Sequence, residues 1–361
     1  MLQNRYGDRT FPIRTRWSDL RAIRLTMRAS DPNRAALRGV LWVLPALVVL
    51  AVMVPAFDVF GPSTSGPEDV GFLISLGVFV VLAAAGIVVG SLFDRRIPRR
   101  EQEAYWRLSG IGPVTDRQQQ LLALDAQSDY AIGGWNSTLD YGPAAHRLPV
   151  AERSRPSRRG PRPRFVSMPL FATADLRARL DNDQHIASGR DTELFVADAL
   201  GDASLSARFH AVLHGEQGER MLGRLSSLTG LSEWDLRELD EPLGGRPPLL
   251  LWGADSQRVI SIVRMAHLAD HVDASTAWRL IERAAEPAEG LFGSWDAYWA
   301  NVRIGVAFFS DRLEAVQAFD DSLAGLRGSA WPAARVPFPS RPVPAWLPRF
   351  EGTEGRPIDE R

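Results

Sequence analysis

The chain contains no cysteine and no lysine; all 42 of its Lys+Arg residues are arginine, set against 43 Asp+Glu for a formal net charge of -1. Each absence excludes a class of chemistry. Without cysteine there is no disulfide, no thiolate nucleophile and no thiolate metal site. Without lysine there is no Walker-A phosphate loop, no kinase strand lysine and no Schiff-base catalysis. A near-neutral balance lacks the electrostatic footprint of nucleic-acid binding, so no nucleic-acid partner is expected. The G-x-S-x-G elbow and the dinucleotide glycine fingerprint are also missing, and no cofactor is expected. Nor is there an alternating strand pattern bounded by hairpin turns.

What is present begins with two charge-free apolar runs, 39–57 and 70–93. Each is about the 20 residues that a helix needs to cross hydrocarbon, where backbone polar groups must be satisfied internally. Pro45 stands one turn into the first run, and Gly86 and Gly90 form a small-xxx-small pair in the second. Arg21, Arg24, Arg28, Arg34 and Arg38 precede the hairpin, and Arg95, Arg96, Arg99 and Arg100 follow it. The link between the runs carries only Asp58, Glu68 and Asp69. This asymmetry predicts a multi-pass inner (plasma) membrane protein with both termini cytoplasmic and a lipid bilayer as partner. Ahead of the first run, Ser18 can cap a short helix with Trp17, Leu20, Ile23 and Met27 on one face, suited to the membrane interface.

The rest of the chain reads as helical, which makes the expected fold class mainly α: a two-helix transmembrane hairpin followed by an all-α cytoplasmic domain. The expected organisation is a cytoplasmic N-terminal segment (1–36), the hairpin (37–93), a connector (94–169) with an Arg/Pro-rich linker (151–165), a helical domain (170–335) and a mobile proline-rich tail (336–361). Thr115–Asp116 marks one helix start. Thr173, Asp191, Ser204, Ser232, Asp255, Ser275 and Ser294 mark others, and Gly201 and Gly230 mark stops. The strongest amphipathic segment carries Val259, Ile262, Val263 and Ala266 on one face.

Within this last region, Asp255-x-x-Arg258, Arg264, Trp278, Phe292, Ser294-Trp295, Tyr298, Gly305 and Trp331 occur in an order and spacing that resembles the DUF1266 family of bacterial proteins of unknown function. The resemblance covers about residues 250–335. It implies a compact helical domain and brings no assigned activity with it.

Two groups of residues are candidates for a site. Asp255, Arg258 and Arg264 form either an anion or ligand clamp or a structural polar cluster. In the structural case Asp255 complements a helix dipole, and Arg258 forks onto a carboxylate such as Glu282 or Asp296. Trp278, Trp295 and Trp331 are expected in the core. His267 and His271, in the string His267-Leu268-Ala269-Asp270-His271, stand at i and i+4, where two imidazoles on one helical face can share a zinc ion. The string resembles the H-x-x-E-H order of inverted zinc peptidases, with a shorter aspartate in place of the glutamate. No third ligand is marked, although Glu282, Glu286 and Glu289 are near in sequence. The same i, i+4 spacing at His210 and His214 reads as an ordinary amphipathic helix beside Phe209 and Leu213. The expected function is therefore a membrane-anchored helical interaction or scaffolding protein with a protein partner at the cytoplasmic face. The alternative is a membrane-anchored metal-dependent hydrolase built on the His267/His271 face. The sequence favours a protein that is not an enzyme.

Overall fold

The computed structural model describes residues 100–350, apart from 102, 112–113, 132–137, 157, 159–161, 166–169, 243–244, 329–335 and 349. The apolar runs 39–57 and 70–93, the Ser18 helix, the Gly86/Gly90 pair, Trp331 and the last residues of the tail lie outside the described residues. Among the described residues no helix is long and apolar enough to cross a membrane. The described residues divide between two units: residues 105–164 and 170–350 form the unit considered below, and residues 100–104 and Phe165 belong to the other.

The described unit is mainly helical, as its capping signals dictate. Thr115 closes a capping box on α1 (Asp116–Ala123): its hydroxyl accepts from the Gln118 N–H, and the Gln118 side chain accepts from the Thr115 N–H. Next come α2 (Ala126–Ala131), α3 (Val150–Arg153), α4 (Thr173–Gln184) and α5 (Gly189–Ala199). They are followed by α6 (Leu205–Leu213), α7 (Gly218–Thr229) and α8 (Glu233–Arg237). Ser188, Ser204 and Ser232 cap α5, α6 and α8, each hydroxyl accepting a backbone N–H three residues on. Gly230 ends α7 at φ 73°, a left-handed position that glycine adopts without steric cost.

The last four helices are α9 (Trp252–Leu268), α10 (Ala274–Leu291), α11 (Trp295–Ser310) and α12 (Leu313–Arg327). Ser294 caps α11 as its sequence predicts. The cap of α10 is Asp273 rather than Ser275, because the Asp273 carboxylate reaches the Thr276 N–H at 2.7 Å and takes the Ser275 hydroxyl as well.

Helix α9 is the hub. It packs against α4, α5, α6, α10 and α11. Val259, Ile260, Val263 and Ala266 on it are fully buried, and so are Asp255, Ser256 and Arg264. Of these buried polar residues, Asp255 and Arg264 find hydrogen-bond partners on neighbouring elements, and the Ser256 hydroxyl has none among the described residues. Helix α11 crosses α9 closely, since a Cβ added at Gly305 would collide with the Ala254 side chain. That approach accounts for the glycine within the family-like pattern.

Two segments are more ordered than their composition predicts. Within the expected linker 151–165, α3 runs into a two-residue antiparallel ladder, Ser154–Arg155 against Arg162–Pro163. Arg164 pairs there with Glu152, and the Arg153 guanidinium donates to the Leu148 carbonyl. The proline-rich tail is likewise held in place along its described part. Trp295 Nε1 donates to the Val336 carbonyl at 2.7 Å, Phe338 meets the Trp295 ring edge-on, and Trp346 bonds Glu286. Arg341 pairs with Glu282 and Glu289, and Leu347 is buried. Prolines remove backbone donors, but side chains on either side of them supply the attachments instead.

Candidate functional site

The residues singled out along α9 do not form one cluster. Asp255 is wholly buried, and its carboxylate accepts from the Leu205 N–H (2.7 Å), the Ser206 N–H (3.0 Å) and the Ser206 hydroxyl (2.6 Å). It therefore caps the first turn of α6, not its own helix. Burial raises its carboxyl to about pH 6, against the opposing hydrogen bonds from Ser206 and Leu205. Arg258 is half-buried; it donates to Gln184 Oε1 at 3.2 Å and lies over the Phe195 ring, 5.2 Å from its centroid. The expected partners are engaged elsewhere: Glu282 pairs with Arg117 and Arg341, and Asp296 with Arg327. Trp278 and Trp295 are half-buried.

Arg264 is fully buried and takes a third role. Its Nη1 donates at 2.9 Å both to Asp125, between α1 and α2, and to Asp129 on α2. Its other nitrogens reach the carbonyls of Thr138, Leu139 and Asp140. Burial opposes the charge, but the Asp129 and Asp125 carboxylates more than offset it and hold the guanidinium above its ordinary pKa. Asp255, Arg258 and Arg264 thus have separate hydrogen-bond partners on separate elements.

The His267/His271 pair also separates. Helix α9 ends at Leu268, and Asp270 takes φ 60°, so His271 no longer lies on the helical face of His267. His267 Nδ1 bonds the Val272 carbonyl at 3.0 Å, and its Nε2 lies 3.5 Å from Asp140 Oδ1. Arg147 Nη2 donates to the His267 carbonyl at 2.8 Å, Arg177 donates to the Ala269 carbonyl at 2.9 Å, and Arg147 also pairs with Asp270. The end of α9 is thereby closed by two arginines, which complement its negative dipole. Beside them His146 stands between Thr173 Oγ1 (2.6 Å) and Asp270 Oδ2 (3.3 Å). Burial pushes Asp140 up and the imidazoles of His146, His267 and His271 down, so this cluster favours neutral histidines. The nearby glutamates are committed too: Glu282 and Glu289 to Arg117 and Arg341, and Glu286 to Arg283 and Trp346. A zinc peptidase site on His267 and His271 therefore lacks its shared helical face, and Glu282, Glu286 and Glu289 are engaged elsewhere.

The convergent group is the other histidine pair. His210 on the last turn of α6 and His214 at its C-cap meet one carboxylate, Asp240, at the end of a 3-10 turn spanning Glu238–Asp240. His210 Nδ1 lies 2.7 Å from Asp240 Oδ1, and His214 Nε2 lies 2.5 Å from Asp240 Oδ2. One donor atom from each residue falls within 4.8 Å of the others. Several contacts hold the scaffold beneath. Asp255 fixes the start of α6. The Leu250 N–H donates to the Leu239 carbonyl beside Asp240 at 2.7 Å. Leu250 itself sits at φ 39°, a left-handed value held in place because its carbonyl accepts from Asn301 at 2.7 Å. Phe350 stacks on the His210 ring and on Trp252. The i, i+4 spacing was the visible signal in the sequence; Asp240 enters only through the turn that follows α8.

No curated protein and no solved structure matches the chain. A family model does match, over residues 159–328, a span that begins well before residue 250 and takes in α4 to α12 together with His210, His214 and Asp240. The matching model is that of the family described as Protein of unknown function (DUF1266), to which the chain is similar over those residues.

Proposed function

We propose that this chain is an inner-membrane protein that carries its DUF1266 domain on the cytoplasmic side and uses it to bind a protein partner. The carrying observation is the pair of charge-free runs, 39–57 and 70–93, flanked by arginines on both outer sides and linked by an acidic turn. A partner role is supported by how the polar residues of α9 are used: Asp255 and Arg264 are spent on internal contacts and are closed to solvent. Large apolar side chains meanwhile stand outside, with Trp234 66% and Phe309 63% exposed. Exposed aromatics of this kind are enriched among residues that dominate interfaces.

Fractionation of cells that make the full chain, with a photo-crosslinking residue at position 234 or 309, tests this reading. The expected outcome is a chain that resists alkaline extraction from membranes and gives one discrete adduct from each position. Release of the chain into the soluble fraction, or no adduct from either position, contradicts it.

A further inference from the structure

We infer that His210, His214 and Asp240 form a divalent-cation site of the zinc class. The donor set is two imidazole nitrogens and one carboxylate, which suits zinc and neighbouring first-row ions and disfavours calcium or magnesium, which take oxygen ligands. The two histidines approach the carboxylate from the same helix end, one through Nδ1 and the other through Nε2. That pairing of ring nitrogens points both lone pairs toward Asp240 once the protons lie on the opposite nitrogens.

Zinc bonds of about 2.0–2.2 Å in a tetrahedral arrangement separate neighbouring donors by roughly 3.3 Å. The observed separations of 2.7 and 2.5 Å must therefore widen by somewhat more than half an ångström. Asp240 ends a short 3-10 turn outside α6, so metal binding requires that turn to draw back by this amount. Exposure is graded in the way an open coordination site requires: the side chains of His210 and Asp240 are 13% and 9% exposed, and that of His214 is 42% exposed. Phe350 and Trp252 wall the His210 side and leave the His214 side to water. Three protein ligands with a solvent-facing fourth position describe a metal site able to bind a further ligand, rather than a closed structural one.

Cobalt(II) and zinc(II) titrations of the purified full-length protein in detergent micelles test the site. The expected result is one cobalt ion per chain with visible ligand-field absorption, displaced by one equivalent of zinc. His210→Ala and Asp240→Asn should each weaken zinc by more than about 100-fold, since even loss of a group supporting a ligand costs 10–100-fold. His267→Ala should leave the affinity unchanged. The near-isosteric Asp240→Asn keeps the local shape, so its loss of binding cannot be assigned to unfolding if circular dichroism is unchanged. No ligand-field absorption in the unsubstituted protein, or zinc binding that survives Asp240→Asn and disappears with His267→Ala, overturns the assignment.

Discussion

Asp255 Oδ1 accepts the backbone N–H of Leu205 at 2.7 Å, so a carboxylate on the hub helix caps a helix that begins fifty residues earlier in the chain. With the two bonds from Ser206 it satisfies donors that would otherwise be buried without partners. Asp255→Ala should lower stability by about 2 kcal/mol, at the upper end of capping losses. Chemical denaturation of the full chain in micelles reads this as a lower midpoint.

The same carboxylate makes stability depend on pH. Its folded pKa of about 6 lies above the ordinary carboxyl value of 3.8, so the folded state holds this proton more tightly than the unfolded state. Asp255 therefore contributes a stability that is fully present below about pH 4 and is lost as pH rises through about 6. The change is on the order of 3 kcal/mol across that window. Asp255→Asn should remove this falling slope between pH 4 and 6, measured as denaturation midpoint against pH, whatever it does to absolute stability.

Arg264 and Arg258 should differ sharply. Arg264→Met leaves the Asp125 and Asp129 carboxylates buried without their cation and should cost about 3–5 kcal/mol. That is a large part of a usual domain margin of about 5–15 kcal/mol. Asp125→Asn added to Arg264→Met should recover part of the loss. Arg258→Ala forfeits a charge-assisted hydrogen bond to Gln184, a ring contact with Phe195 and the attraction to Asp255 from a half-buried position, and should cost less, about 1–2 kcal/mol. Equal losses from both arginines would contradict the separate roles assigned to them.

Gly305→Ala should cost about 1–3 kcal/mol, because its methyl group meets Ala254 where α11 crosses α9 and the helices must part. Thermal unfolding of the variant measures it.

Much of the helical architecture could be read locally. Thr115, Ser204, Ser232 and Ser294 act as the caps that their positions predict, since capping is decided within four residues. What could not be read is long-range. Asp255 caps another helix, and the two carboxylate partners of Arg264 lie more than 130 residues before it. His267 and His271 keep a helical spacing in sequence, but the helix ends between them. His210 and His214 gain significance only when Asp240 folds back onto them. The tail has proline composition suited to mobility, yet Trp346 and Arg341 anchor it to glutamates on α10. In each case tertiary contacts, which no local pattern encodes, decide the role.

The membrane-anchored reading is tested most directly by topology reporters fused at Ser65 and Arg361 of the full chain. A periplasmic signal from the Ser65 fusion and a cytoplasmic signal from the Arg361 fusion are predicted by the arginine distribution around the two apolar runs. A cytoplasmic signal from Ser65, or a periplasmic signal from Arg361, would contradict it.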